Sequence, residues 1–196
     1  MPKLEEVFRL SGIPTYTFVQ PHRYDEILVS VRTPGRCLVL EGPSGIGKTT
    51  TITKVLNELG IDEEALSLSA RQPEDADLIA SLPDMTAIGT VIVDDFHRLS
   101  DPVKERLSDY MKVLADRQSD DSKLILIGIN KAGQQLVQYA HDLGLRLDVF
   151  RLEANSDELM EKMLQQGEAA LNIKLPATVS VVEKAQGSFQ IAQLLA

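Results

Sequence analysis

Gly42-Pro43-Ser44-Gly45-Ile46-Gly47-Lys48-Thr49 fits the pattern G-x-x-x-x-G-K-[ST], and its flanks decide what the match means. The apolar run Cys37-Leu38-Val39-Leu40 ahead of it has strand length, while Lys48 to Leu59 behind it has helical periodicity. A glycine-rich turn from strand to helix suits a polyphosphate. Glycines let consecutive amides point at the anion, and the helix start adds unpaired amides and the positive end of its dipole. Gly42, Pro43, Ser44, Gly45, Ile46, Gly47, Lys48, Thr49 and Thr50 are therefore the candidate phosphate-binding residues. Lys48 is expected on the β- and γ-phosphates and the Thr49 hydroxyl on Mg²⁺.

Working outward, apolar runs of strand length recur, each followed by a helical pattern, which predicts a parallel sheet flanked by helices. The strands are expected at Cys37 to Leu40, Ala65 to Ser69, Thr90 to Asp94, Leu124 to Ile129 and Val149 to Leu152. Helices are expected at Lys48 to Leu59, around Glu74 to Ser81, at Pro102 to Asp116 and at Ala132 to Leu143, with Gly60 as a C-terminal cap. After Leu152 the alternation stops. Ser156-Asp157-Glu158 opens a helix with Leu159, Met163 and Leu164 on one face, a second helix starts near Pro176, and Gly187 breaks it before a third apolar segment. The expected division is an α/β core over residues 1–153, with residues 1–34 on the adenine side, and a small helical lid over residues 154–196 that continues beyond Ala196.

Val91-Ile92-Val93-Asp94-Asp95 is an apolar strand ending in two carboxylates, at the strand end where open α/β sheets place ligand groups. Asp94 is expected to hold the magnesium as a hard oxygen ligand, and Asp95 to orient or deprotonate an attacking water. The bland reading of the pair is a cap for the next helix.

Here a family resemblance becomes specific. Val91 to Leu99, with its Asp94-Asp95-Phe96-His97 segment, resembles the signal-transduction ATPases with numerous domains, particularly regulators similar to the maltose-operon activator. The wider layout is similar to the larger AAA+ and signal-transduction ATPase group. That resemblance implies a P-loop NTPase of the ASCE/AAA+-like kind, with a five-stranded parallel sheet whose fourth strand separates the first from the third. It also implies ATP as the nucleotide.

In that group the fourth strand carries a polar sensor, and Asn130 at the end of Leu124 to Asn130 resembles it. Asn130 would hydrogen-bond the γ-phosphate or the attacking water; the alternative is a turn or cap asparagine. Asn130-Lys131-Ala132-Gly133 begins like the guanine-reading motif of GTPases, but Gly133 stands where the base-pairing aspartate belongs, so adenine is expected. Arg146, just before the fifth apolar run, occupies the place of an AAA+ arginine finger, which would act on a neighbouring subunit's nucleotide; a solvated arginine is the other reading.

Gly187-Ser188-Phe189-Gln190 lies where AAA+ lids carry Gly-Asp-x-Arg, so an uncharged Gln190 stands in the place of the second sensor, with an exposed helix residue as the favoured reading. Ile13 to Val19 resembles the adenine-lining segment, which nominates Phe18 and Val19 as base contacts, with core packing as the alternative. His22, His97 and His141 show no metal-ligand spacing.

The 196 residues, 43% hydrophobic and 25% charged, suffice for one mixed domain with a small appendage. The formal charge of -9 argues against a broad basic surface for nucleic acid, leaving room for a local patch. Cys37, the single cysteine, sits in an apolar run and reads as core. Residues 1–10 lack a signal-peptide core and no apolar stretch approaches ~20 residues, so the sequence predicts a cytoplasmic location without a membrane span.

These features lead to an ATP-hydrolysing switch whose nucleotide state, ATP or ADP, is read by the lid and by attached domains or neighbouring subunits, as in a homo-oligomer. The alternatives are a ring-forming AAA+ loader or remodeller using Arg146 between subunits, a P-loop small-molecule kinase, and a nucleotide-binding scaffold that does not hydrolyse. The paired Asp94-Asp95 points to water activation rather than to a kinase.

Overall fold

Each of the five apolar runs forms a strand, and all five pair parallel in one sheet. The computed structural model describes residues 1–129 and 146–196. Its strands are β1 (Cys37–Glu41), β2 (Leu66–Ser69), β3 (Gly89–Asp94), β4 (Ser122–Gly128) and β5 (Leu147–Arg151). The helices among the described residues are α1 (Leu4–Val7), α2 (Tyr24–Arg32), α3 (Lys48–Leu59), α4 (Pro73–Ser81), α5 (Asp101–Asp116), α6 (Asp157–Leu171), α7 (Thr178–Ala185) and α8 (Phe189–Leu195), with short 3-10 turns at Leu82–Asp84 and Phe96–Arg98. The helix expected at Ala132 to Leu143 lies outside the described residues.

The chain divides into two units: Arg23–Gly42 with Lys54–Arg151, and Met1–His22 with Pro43–Thr53 and Leu152–Ala196. In the first, the sheet order is β2-β3-β4-β1-β5, so β4 separates β1 from β3 as the resemblance implied. Every residue of β1 is buried, as expected of a parallel sheet covered on both faces. Cys37 and Val39, Val91 and Val93, and Leu124 and Leu126 alternate onto one face. There they meet Leu107, Met111 and Leu114, which helical spacing places on one stripe of α5. Cys37 is buried in this core.

Two details fix the flanking helices. Lys123 Nζ donates to the carbonyls of Ser30, Thr33 and Arg36 at 3.2, 2.7 and 2.6 Å, capping the end of α2, and burial lowers its pKa. α3 ends as predicted at Gly60, whose amide bonds Asn57 while Ile61 reaches back to Leu56, both at 3.1 Å. Because all strands run parallel, their carboxyl ends line one edge. Register pairs Ser69 with Asp94 in β2 and β3, and Glu41 with both Gly128 of β4 and Arg151 of β5.

In the second unit, α6, α7 and α8 pack through Met160, Met163, Leu164, Val182, Ala185 and Ala192. Ser156 and Ser188 cap α6 and α8, accepting from Leu159 N at 3.4 Å and Ile191 N at 3.3 Å. Val7, Phe8 and Val19 join the same apolar cluster. The Phe8 ring lies where a Cβ on Gly167 would stand, 2.1 Å from it, so a glycine inside α6 makes the seat for that ring. Residues 1–22, read from sequence as the start of the core, thus gather with the lid helices because α6 needs their apolar side chains.

Candidate nucleotide site

The phosphate loop leaves β1 at Glu41 and enters α3 at Lys48. Gly45 and Gly47 have φ of +78° and +97°, the left-handed backbone that turns successive peptide planes and that only glycine adopts cheaply. Lys48 Nζ donates to the Pro43 carbonyl at 2.6 Å, so the lysine spans its own loop. In the first turns of α3, Thr51 Oγ1 donates to the Gly47 carbonyl at 2.9 Å and Thr53 Oγ1 to the Thr49 carbonyl at 3.0 Å.

Lid residues bond this loop directly. The Gln190 amide donates to the Gly45 carbonyl at 3.1 Å, and the Ser188 hydroxyl reaches the same oxygen at 3.4 Å. Asn155 Nδ2 donates to the Ile46 carbonyl at 3.3 Å and to the Gly187 carbonyl at 2.8 Å. A Cβ on Gly45 would stand 2.5 Å from Ser188 Oγ, so the lid lies close against the loop backbone. Gln190 engages the loop through its main chain, and it is an exposed residue of α8, as the favoured reading of the sequence had it. Val19 is buried in the lid cluster and Phe18 is half-buried.

At the carboxyl edge of the sheet, Asp94 closes β3 and Asp95 follows with φ 56° and ψ 32°. The Asp95 amide donates to Asp94 Oδ1 at 2.7 Å. Arg71, just beyond β2, donates Nη2 to Asp95 Oδ1 at 3.0 Å and brings Nε to 2.5 Å from Oδ2. The Asp95 carboxylate holds the Arg71 pKa above its ordinary value, by hydrogen bond first and by charge second. Two strands along, the Glu41 carboxylate, 1% exposed, receives Arg151 Nε and Nη2 at 2.9 and 2.7 Å on Oε1. Arg146 precedes β5 and donates Nε to Asp116 at the end of α5 at 2.7 Å.

The structure thus joins Pro43 to Lys48 and Asp94 to Asp95, and it seats Gly45 and Ile46 against the lid. Asn130 lies outside the described residues. Sequence reading missed Arg71, Glu41, Arg151 and Asn155. Arg71 and Arg151 sit at or just past strand ends on the ligand edge, which was a usable signal. Asn155, between β5 and the cap of α6, gave none.

Known proteins resemble this arrangement. A family model described as "Holliday junction DNA helicase RuvB P-loop domain" matches residues 32–128. The Holliday junction branch migration complex subunit RuvB of Lactobacillus johnsonii is 27% identical over 173 residues, 81% of this chain and 50% of that protein. The chain spans about half the length of the curated relatives it matches first. Among solved structures, the RuvB branch migration motor of Thermotoga maritima superposes with a TM-score of 0.61 at 19% identity, covering 91% of this chain and 61% of that one. Domain III of the Thermotoga maritima replication initiation protein DnaA gives 0.63 at 16% identity, covering 96% and 85%. The chain shares with these structures the fold of a five-stranded parallel sheet flanked by helices.

Proposed function

We propose that this chain is the ATP-binding and hydrolysing module of an AAA+ loader or remodeller, the type to which its RuvB and DnaA likenesses point. The observation that carries the reading is the phosphate loop itself, a complete motif between β1 and α3 with Gly45 and Gly47 in left-handed backbone. In this reading Gly42 to Thr50 bind the phosphates, Phe18 and Val19 lie toward the adenine, and Lys48 neutralises charge developing on the transferred phosphoryl group.

Thr49 and Asp94 offer hard oxygens, the donor chemistry of Mg²⁺. That fits a magnesium held by a hydroxyl, a carboxylate and the substrate phosphates. The ion supplies charge neutralisation when bound. Asp95 orients or deprotonates the water, and Asn130 hydrogen-bonds the γ-phosphate or that water. Arg146 acts across a subunit boundary in an oligomer, exchanging Asp116 for a neighbour's nucleotide. The RuvB relatives are branch-migration proteins by name, and a nucleic-acid partner for this chain would have to bind a local basic patch, given the net charge of -9.

A second reading, a slow switch of the signal-transduction ATPase kind in the cytoplasm, draws on the Asp94-Asp95 pair and the uncharged Gln190. Steady-state ATPase measured against protein concentration separates the two. A loader gives specific activity that climbs with concentration, and mixing Arg146→Ala with Lys48→Ala subunits restores part of it. Flat, slow turnover favours the switch. Unchanged ATP affinity and hydrolysis in Lys48→Ala would sink both.

A further inference from the structure

We propose that Asn155 is a positioning residue through which the helical lid fixes the phosphate loop, holding the loop's outward carbonyls so that its amides face the phosphates. This deepens the proposed nucleotide site and rests on that reading of residues 42–49.

In a planar trans peptide the carbonyl of one residue and the amide of the next point to opposite sides. The Gly45 carbonyl therefore sets the Ile46 amide, and the Ile46 carbonyl sets the Gly47 amide. Glycine lets such planes turn at little cost, so the loop sequence alone leaves these amides free to face either way. The lid removes that freedom. Gln190 N and Ser188 Oγ take the Gly45 carbonyl, and Asn155 Nδ2 takes the Ile46 carbonyl.

Asn155 suits the task because its carboxamide nitrogen carries two hydrogens, one for each carbonyl it meets. The second bond, to Gly187 at 2.8 Å, is reinforced by the Asn155 amide on the same oxygen at 3.1 Å. The side chain is thus oriented by the lid turn before it reaches the loop. An uncharged Gln190 then costs the lid little of its hold on the phosphates, since the coupling runs through the loop backbone. Preorganising donors where charge will sit is how such a site gains affinity.

The test is a calorimetric titration of the whole chain with inorganic pyrophosphate and Mg²⁺, which probes the loop without the base. Asn155→Ala weakens pyrophosphate about fivefold, the loss of roughly one net hydrogen bond. Asn155→Asp, similar in shape but with a charge in place of the donors, adds repulsion from both carbonyls and from the anion and weakens it further. Ser156→Ala removes the neighbouring cap of α6, lowers the melting temperature and leaves the affinity unchanged, which separates positioning from general lid stability. Unchanged pyrophosphate affinity in both Asn155 variants overturns the proposal.

Should those variants fail to fold, hydrogen exchange on the unsubstituted chain decides. Pyrophosphate slows exchange across residues 185–190 if the lid is latched to the loop, and exchange there that ignores pyrophosphate overturns the proposal. Equal pyrophosphate binding by the unsubstituted chain and Lys48→Ala overturns instead the underlying reading of the loop.

Discussion

Arg71 grips both oxygens of the Asp95 carboxylate, with Nη2 3.0 Å from Oδ1 and Nε 2.5 Å from Oδ2. Asp95 is turned toward it by a left-handed backbone, and its own amide is tied to Asp94. A carboxylate held in this way by a guanidinium has its oxygen lone pairs already engaged and is not free to orient a water. Arg71 is 62% exposed, so the grip is screened and reversible.

Release of Asp95 should therefore raise basal hydrolysis. Arg71→Ala is expected to increase kcat several-fold with KM unchanged, and added salt should raise the activity of the unsubstituted chain toward the same level. Asp95→Asn should lower kcat by about 10²-fold or more while ATP still binds. Slower hydrolysis in Arg71→Ala would show that the arginine supports the reaction rather than restraining it.

Glu41 and Arg151 make a different kind of pair, because Glu41 is 1% exposed and Arg151 remains 54% exposed. Arg151→Met leaves a buried carboxylate without its cation, and urea unfolding should show a loss of ~2 kcal/mol, below the range for fully buried pairs because of the arginine's exposure. Replacing both, Glu41→Leu with Arg151→Met, should recover most of that loss. A double variant no better than the single one would mean that Glu41 has work besides charge pairing.

Alkaline stability gives a third measurement. Burial pushes the Cys37 thiol from 9.0 to about 11, and burial followed by the Glu58 carboxylate pushes Tyr24 from 10.0 to about 12. The folded chain favours the neutral form of each, so both contributions are complete below the unfolded values and drain as pH rises, between 9.0 and about 11 for Cys37 and between 10.0 and about 12 for Tyr24. For Cys37 the full amount is ~3 kcal/mol. Cys37→Ala should flatten the slope of unfolding free energy in its window and Tyr24→Phe the slope in the next, whatever either does to stability at neutral pH. An unaltered slope in Cys37→Ala would contradict a buried thiol.

How far these features were legible in the sequence depended on their range. β1, β3 and α3 follow from local pattern, since apolar runs, Gly60 and the glycine-rich turn carry their own signals within a few residues. β4 between β1 and β3 needed the resemblance, because strand order is set by packing across the sheet. The grip of Arg71 on Asp95 joins residues 24 apart, and Asn155 meets Ile46 across 109, distances over which no local periodicity speaks. The placement of Val7, Phe8 and Val19 with the lid was hidden for the same reason, since apolar residues announce burial without naming the partner.

The lid turn offers the sharpest steric test. Gly187 has φ +79°, and a Cβ there would stand 2.7 Å from Ala154 Cβ and 2.8 Å from both N and O of Asn155. Gly187→Ala must therefore push residues 154 and 155 aside, and with them the bonds from Asn155 to Gly187 and Ile46. Gly60 is the control, with φ +69° and nothing within 4 Å of an added Cβ. Gly60→Ala should cost about 1 kcal/mol, the left-handed penalty alone, and leave pyrophosphate binding untouched. Gly187→Ala should cost ~3 kcal/mol by thermal or urea unfolding and weaken pyrophosphate as Asn155→Ala does, because strain and a lost contact add. Equal effects of the two substitutions on pyrophosphate would mean that the lid turn does not reach the loop through Asn155.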